Sequence, residues 1–173
     1  AEADDSGGEV RFDQFRRGGQ YAELPGTIEE IKQISEVMDG TYYYGSRASE
    51  LNFKSNSNDY AVLHLAVHGD VNGNDPDEYK LVFFNAGDST EDGNLHVKEL
   101  YQMQLSAQLA VLSACNTGVG KNKMGEGTQS LGKAFAYAGV PSLLLTRKDV
   151  SDATTPVIMR YFYEGLDQGM RKS

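Results

Sequence analysis

The chain has 173 residues, a net charge of −9 and a hydrophobic fraction of 39%, which is typical of one globular domain with a core of its own. The acidic balance argues against direct binding to nucleic acid, whose phosphates attract a basic face, and no apolar run reaches the roughly 18 residues that a membrane span needs. The single cysteine excludes an internal disulfide and a cysteine-rich zinc site, and it indicates a reducing, cytoplasmic location.

Helices and strands are predicted to alternate along most of the chain. Residues 1–23 are polar and without periodicity, so they are predicted to form a lead-in loop that is partly disordered. The first helix is expected to begin at Thr27, whose side chain would form a capping box with Glu30. Later helices are predicted in four places: on the surface over residues 47–55, after Asp92-Gly93, over residues 128–138, and from Thr155. The predicted strands are residues 41–44, 60–68, 79–84, 109–115 and 140–146.

This alternation predicts parallel βαβ units and therefore an α/β fold. The helix after residues 92–93 is expected to be about ten residues long, a length typical of globular helices. The last helix is expected to turn Ile158, Phe162 and Leu166 toward the core, because these residues recur at helical spacing.

Two predicted apolar strands end in residues whose side chains can take part in catalysis. One runs into His68-Gly69 and the other into Cys115. In a parallel sheet the active crevice lies beyond the carboxyl ends of the strands. If the two strands are neighbours, His68 and Cys115 meet at one edge of the sheet.

A thiol and an imidazole at that edge would suit acyl transfer. A thiolate is the nucleophile, and the imidazole takes a proton and later returns one. The main-chain N–H groups of Gly69 and Cys115 would form the oxyanion hole. The alternative is a buried, inert cysteine, since cysteine is among the most buried residue types. His64 is expected to be a hydrogen-bonded core residue, and His96 a helix cap or surface residue.

Two acidic residues are candidates for reading a basic substrate side chain. Glu126 lies in a predicted glycine-rich loop after Cys115, and Asp152 lies at the entry to the last helix. The alternative is that each carboxylate complements a helix N-terminus. The segment from Gly118 lacks the frame of a phosphate-binding loop, and no third metal ligand follows His64 and His68 at a diagnostic spacing. No metal and no cofactor are therefore expected.

Several motifs, taken in order, resemble the CHAT family, caspase-like peptidases often attached to tetratricopeptide repeats. The most specific pair is Leu63-His-Leu-Ala-Val-His-Gly69 with Val111-Leu-Ser-Ala-Cys-Asn-Thr-Gly118. The further matching motifs are Leu24-Pro25-Gly26, Asp92-Gly93 followed by Glu99-Leu100, Gly125-Glu-Gly127 and Val150-Ser-Asp152.

The resemblance implies a three-layer caspase-like sandwich over residues 24–173, with a mostly parallel central sheet and helices on both faces. It implies a cysteine endopeptidase in which His68 is the base and Cys115 the nucleophile. Glu126 and Asp152 match recurrent acidic positions and are assigned to substrate binding. The implied partners are a protein or peptide substrate and a regulatory protein or repeat domain.

The chain departs from the family pattern in two ways. Residues 147–149 are Arg-Lys-Asp where relatives carry an aromatic-containing segment, so the alternative of a catalytically silent, caspase-like protein-binding module stays open. The family's first strand is not recognisable in residues 1–23, and its helix after Gly169 is missing. The chain is therefore expected to be a fragment of a longer protein.

Overall fold

A computed structural model describes residues 25–70, 78–85, 90–113, 124–146 and 154–170 of the chain. The helices are α1 (Pro25–Ser35), α2 (Glu50–Asn56), α3 (Val97–Leu100), α4 (Met124–Tyr137) and α5 (Thr155–Asp167). The strands are β1 (Val62–Leu65), β2 (His68–Asp70), β3 (Lys80–Val82), β4 (Asn94–His96), β5 (Leu109–Leu112) and β6 (Leu143–Leu145). Within these ranges, no helix combines the length and the apolar character that crossing a membrane requires. The mixture of helices with a parallel sheet confirms the predicted α/β class.

The parallel sheet has the strand order β1-β5-β6. Leu65, the last residue of β1, pairs with Leu112, the last residue of β5, and Leu112 pairs in turn with Leu145. The ladder continues one residue further, because the Ser113 N–H donates to the Leu65 carbonyl at 3.0 Å. The expectation that these two strands are neighbours is therefore confirmed.

Side chains alternate along these strands and feed two separate apolar clusters, one on each face of the sheet. Leu63, Leu65, Ala110 and Leu112 belong to the larger cluster, which α3 and α4 complete with residues such as Leu100 and Phe135. Leu109 and Val111 belong to the smaller cluster, which α1 and α5 complete with Ile34, Met159 and Tyr163. Helices thus cover the sheet from both sides.

A second sheet is antiparallel, with the order β2-β3-β4, so the prediction of parallel units throughout is wrong here. The predicted strand over 60–68 is in fact two strands, because β1 ends at Leu65 and His68 begins β2. The connections between β2, β3 and β4 are shorter than the roughly twelve residues that a parallel crossover needs. The chain therefore turns back on itself instead of crossing over.

Two short predicted elements are also wrong. Residues 41–44 form no strand; the Tyr42 hydroxyl instead donates to the Met38 carbonyl just beyond α1. The helix after residues 92–93 has only four residues, because residues 94–96 pair with β3 as strand β4. Burial of Leu95 between its neighbours outweighs the helical spacing of the residues that follow.

The starts of two helices differ from the predictions. Helix α1 begins at Pro25, a residue favoured in the first helical turn, so Thr27 lies inside the helix and the predicted capping box does not form. Helix α4 begins at Met124, so residues 125–127 belong to its first turn and not to a loop.

Helix α5 matches the predicted inward face only in part. Phe162 and Leu166 pack against the smaller cluster as expected, but Met159 and Tyr163 are its most buried residues there and Ile158 is 56% exposed. Adjacent residues on a helix point about 100° apart, so the observed face is rotated by one residue. Contacts of the Tyr163 hydroxyl, described below, account for this rotation.

The backbone conformation at Gly139, which follows α4, can be tested by substitution. Its φ is +109°, and an added Cβ would lie 2.9 Å from the Leu105 carbonyl oxygen, whereas Gly169 has φ +75° with nothing within 4 Å of such a Cβ. We expect Gly139→Ala to lower the free energy of unfolding by about 3 kcal/mol and Gly169→Ala by only about 1 kcal/mol. Denaturant unfolding of both variants measures the difference, and equal losses would contradict the close approach to Leu105.

Candidate active site

The carboxyl ends of β1 and β5 lie side by side and define the candidate site. His68 follows the paired residue Leu65 by three positions, and Cys115 follows Leu112 by three positions. His68 is buried, with 8% of its surface exposed, and Gly69 beside it is also buried. Cys115 lies outside the described residues, so its distance from His68 is untested.

The hydrogen-bonding pattern of the antiparallel sheet determines where the Gly69 amide points. Gly69 is opposite Leu81. The Phe83 N–H donates to the Gly93 carbonyl, and the Val97 N–H donates to the Tyr79 carbonyl. These bonds show that the main-chain N–H and C=O groups of odd-numbered residues along β3 point toward β4. Because bonded and non-bonded pairs alternate in an antiparallel ladder, Gly69 and Leu81 form a non-bonded pair. The Gly69 N–H therefore points away from β3, at the edge of the described sheet.

A chain of polar side chains crosses the sheet face just below the strand ends. Glu30 of α1 is only 2% exposed. Its Oε1 is 3.0 Å from His64 Nε2, and its Oε2 accepts a hydrogen bond from Ser113 Oγ at 3.0 Å. The far side of the His64 ring meets the Tyr163 hydroxyl, with Nδ1 2.9 Å from the oxygen. Four side chains from α1, β1, β5 and α5 are thus joined in one buried network.

One arrangement of protons satisfies every group in this network. With the His64 proton on Nε2, that nitrogen donates to Glu30 and Nδ1 accepts from the Tyr163 hydroxyl. Burial, and then the nearby Glu30 carboxylate, raise the pKa of Tyr163, so its phenol keeps the proton that it donates. The prediction that His64 is a hydrogen-bonded core histidine is confirmed.

A comparison with protein families bears on this arrangement. The family model described as the CHAT domain matches residues 7–173, which is nearly the whole chain. The chain belongs to the CHAT domain family. No curated protein sequence and no solved structure matches it.

The predicted site residues of this CHAT domain differ in how far the structure describes them. His68 and Gly69 follow the carboxyl end of β1 and begin β2 of the antiparallel sheet. The backbone of Glu126 lies in the first turn of α4, where the alternative interpretation placed its carboxylate; its side chain is outside the described part. Asp152 also lies outside the described residues. His96 is the N-cap residue of α3, as expected.

The sequence pattern of Glu30 predicts a helix cap and not the contacts that the structure shows. Its carboxylate contacts His64 and Ser113, in the two strands that lead to the candidate dyad. A signal was present: Glu30 shares a helix face with Ile34. A carboxylate within an apolar stripe is buried and needs partners.

A second cluster of charges in the CHAT domain is the one place among the described residues where three possible metal-ligating side chains meet. The carboxylates of Glu50, Glu91 and Glu99 lie within 4.8 Å of one another. The Lys54 amine lies among them, at 2.7 Å from Glu50, 2.6 Å from Glu91 and 2.8 Å from Glu99. The ammonium group thus occupies the position that a cation would take.

This cluster joins α2 to the segment before α3. Glu50 is 1% exposed and its Oε2 also accepts the Gly93 N–H at 2.9 Å, while Glu99 Oε2 accepts the His96 N–H at 2.9 Å. Burial by itself lowers the pKa of Lys54, but its ion pairs with the three carboxylates outweigh burial and raise that pKa. Burial raises the pKa of Glu50, which Lys54 opposes. The cluster is a structural ion-pair network.

The buried network of the CHAT domain predicts that the Tyr163 hydroxyl stabilises the fold. Tyr163→Phe removes the donor to His64 Nδ1 and leaves that nitrogen buried, so we expect a loss of about 1–2 kcal/mol in the free energy of unfolding. Tyr161→Phe is the matched control, because Tyr161 is on the same helix and is 68% exposed. Chemical denaturation compares the two, and equal stabilities would contradict the His64–Tyr163 contact.

Proposed function

We propose that this CHAT domain is a cysteine endopeptidase that cleaves protein substrates with Cys115 as nucleophile and His68 as base. The proposed fold is the three-layer caspase-like sandwich of the family. It is supported by the two apolar clusters that α1 with α5 and α3 with α4 form on opposite faces of the parallel sheet. The cytoplasm is the proposed location, because a lone cysteine stays reduced there.

The observation that carries the proposal is the register of β1 and β5. The two strands are hydrogen-bonded parallel neighbours, with Leu65 opposite Leu112. His68 and Cys115 each follow one of these two paired residues by three positions in the sequence. This equal offset from neighbouring strand ends supports the pairing of the two residues. The crevice beyond this edge is where α/β folds bind ligands.

The geometry of β2 supports a main-chain oxyanion site. The Gly69 N–H faces away from β3, so it forms no hydrogen bond in the ladder between β2 and β3. The absence of a Cβ at Gly69 leaves room for a substrate carbonyl to approach. The Cys115 N–H would supply the second donor, as main-chain donors do in other acyl-transfer sites.

The proposed reaction has two steps. His68 takes the thiol proton of Cys115, and the sulfur attacks the carbonyl carbon of the scissile peptide while the Gly69 and Cys115 amides bind the oxygen. The C–N bond then breaks as His68 gives its proton to the leaving amine. In the second step a water molecule, deprotonated by His68, attacks the thioester, which releases the new carboxylate and returns the proton to the sulfur.

Substrate recognition is assigned to acidic side chains. We propose Glu126 and Asp152 as residues that bind a basic side chain before the cleaved bond. The net charge of −9 favours the approach of basic peptides but sets no chemistry by itself. Control by a regulatory protein or an attached repeat domain is proposed from the family.

Cleavage of a diverse peptide library, analysed by mass spectrometry, tests this function. The wild-type chain is compared with Cys115→Ala, with and without tetratricopeptide repeats fused to it. We expect the wild-type sequence to cleave peptides and Cys115→Ala to cleave none, with arginine or lysine before each cut. Apolar residues before the cuts would discard the roles of Glu126 and Asp152 but not the peptidase.

The opposite result leads to the alternative function. If neither form of the wild-type chain cleaves any peptide, the catalytically silent protein-binding module replaces the peptidase. Cleavage that persists in Cys115→Ala would instead show a contaminating protease and remove the support for Cys115.

A further inference from the structure

The buried network of Glu30, His64, Ser113 and Tyr163 has a feature that stability alone does not require. Glu30 uses one carboxylate oxygen for each of the two strands that lead to the candidate dyad. His64 belongs to β1, four residues before His68, and Ser113 ends the ladder of β5, two residues before Cys115. A single buried side chain therefore binds both strands close to their carboxyl ends.

We propose that Glu30 is the positioning residue of the candidate dyad, holding the strand ends that lead to His68 and Cys115 in a fixed relation. This inference rests on the proposed function, because it concerns the same site. Glu30 touches no reacting atom in the proposed reaction, so its effect passes through Ser113 and His64.

The position of Ser113 makes this role physically reasonable. Its N–H is bonded to the Leu65 carbonyl of β1 and its hydroxyl to Glu30 of α1, so the residue is restrained by both its main chain and its side chain. A displacement of about 1 Å at a reacting group is enough to slow a reaction by as much as about 100-fold.

The test compares variants at Ser113 and Glu30 with a control on the same helix. Ser113→Ala removes one contact of Glu30 with little change in volume. Glu30→Leu removes both contacts, and Glu30→Gln keeps them in number, because its amide donates to His64 in the other ring tautomer and its oxygen accepts from Ser113. Glu29→Gln is the control, because Glu29 is exposed and bonded only to Gln33 among the contacts described for it.

Two quantities are measured for each variant: kcat and KM on a peptide from the library, and the rate of Cys115 alkylation by iodoacetamide at pH 6–7. The kcat is calculated from the concentration of folded protein, and the folded fraction is measured by circular dichroism at the assay temperature. We expect Ser113→Ala to lower kcat and the alkylation rate about tenfold, with KM unchanged within about twofold. We expect kcat and the alkylation rate to fall further in Glu30→Leu, and to return most of the way to the wild-type values in Glu30→Gln.

The outcomes separate this inference from the proposed function. Unchanged kcat and alkylation in Ser113→Ala would overturn the positioning role while leaving the peptidase in place. If Glu30→Gln were as slow as Glu30→Leu, the charge of Glu30 and not its contacts would matter, and the inference would also fail. If the wild type cleaves nothing, the proposed function fails; the alkylation rates of wild type and Ser113→Ala then decide the inference alone, slower supporting it and equal overturning it.

Discussion

His68→Gln is expected to lower kcat by about a thousandfold or more, because an amide cannot take the thiol proton or return it to the leaving amine. The same change is expected to slow Cys115 alkylation at pH 6–7 to the rate of free cysteine, since the neighbouring imidazole that would stabilise the thiolate is gone. Glutamine is close to histidine in size, so the buried site should remain filled. Steady-state kinetics and iodoacetamide labelling measure the two effects.

His96→Gln is the matched control for this prediction. His96 is a second histidine of the described chain, caps α3 and takes no part in the proposed reaction. Its replacement should leave kcat and the alkylation rate within about twofold of wild type, as expected for substitutions away from a site. A His68→Gln variant with wild-type kcat would exclude His68 as the base, whatever the fate of Cys115.

Lys54→Met is expected to cause a large loss of stability at neutral pH. It leaves the carboxylates of Glu50, Glu91 and Glu99 together without their shared ammonium group. Glu50, which is 1% exposed, would then hold a buried charge without its cation, so we expect the free energy of unfolding at pH 7 to fall by about 3 kcal/mol. Lys98→Met is the control, because Lys98 is exposed on α3 and should change stability by less than about 0.5 kcal/mol.

The loss should depend on pH in a definite direction. In the wild type, burial alone raises the pKa of Glu99, but its hydrogen bonds to Lys54 and to the His96 amide outweigh burial and hold it below the ordinary value of 4.5. That stabilisation is present above pH 4.5 and is lost as the pH falls through the lowered pKa. The raised pKa of Lys54 gives a contribution that is present below its ordinary value of 10.5 and is lost only at higher pH.

The difference between wild type and Lys54→Met should therefore shrink as the pH is lowered from about 7 to about 4, where the variant's carboxylates take up protons and their repulsion ends. Urea denaturation at several pH values measures it. A difference that stays constant, or grows, over this range would show that the cluster does not act through charge.

Much of the fold followed from the sequence because burial leaves a clear pattern. The runs that contain β1, β5 and β6 are short and apolar, as strands of a parallel sheet covered by helices are, and the structure confirms these three strands. The antiparallel sheet was missed because strands of three residues carry too little pattern to show their direction. The predicted inward face of α5 is correct only in part, because the hydroxyl of Tyr163 binds His64, a long-range contact that local spacing does not contain.

The candidate site followed from the sequence only in part. His68 and Gly69 follow the carboxyl end of β1, and His64 is the core residue that was expected, because strand alternation determines which face each residue takes. Glu30 was placed in a helix cap because Thr27 and Glu30 have the spacing of a capping box, and local spacing cannot reveal partners 34 and 83 residues away. The pairing of His68 with Cys115 stays a prediction.

The smaller apolar cluster draws its residues from regions far apart in the chain. Ile34 comes from α1, Leu109 and Val111 from β5, and Met159 and Tyr163 from α5. During synthesis the first of these leaves the ribosome more than a hundred residues before the last. One side of the parallel sheet therefore lacks the part of its cover that α5 provides until that helix emerges, and the Glu30 network lacks its Tyr163 contact until then. A nascent chain would expose an apolar surface during this interval, which is when chaperone binding and aggregation compete with folding.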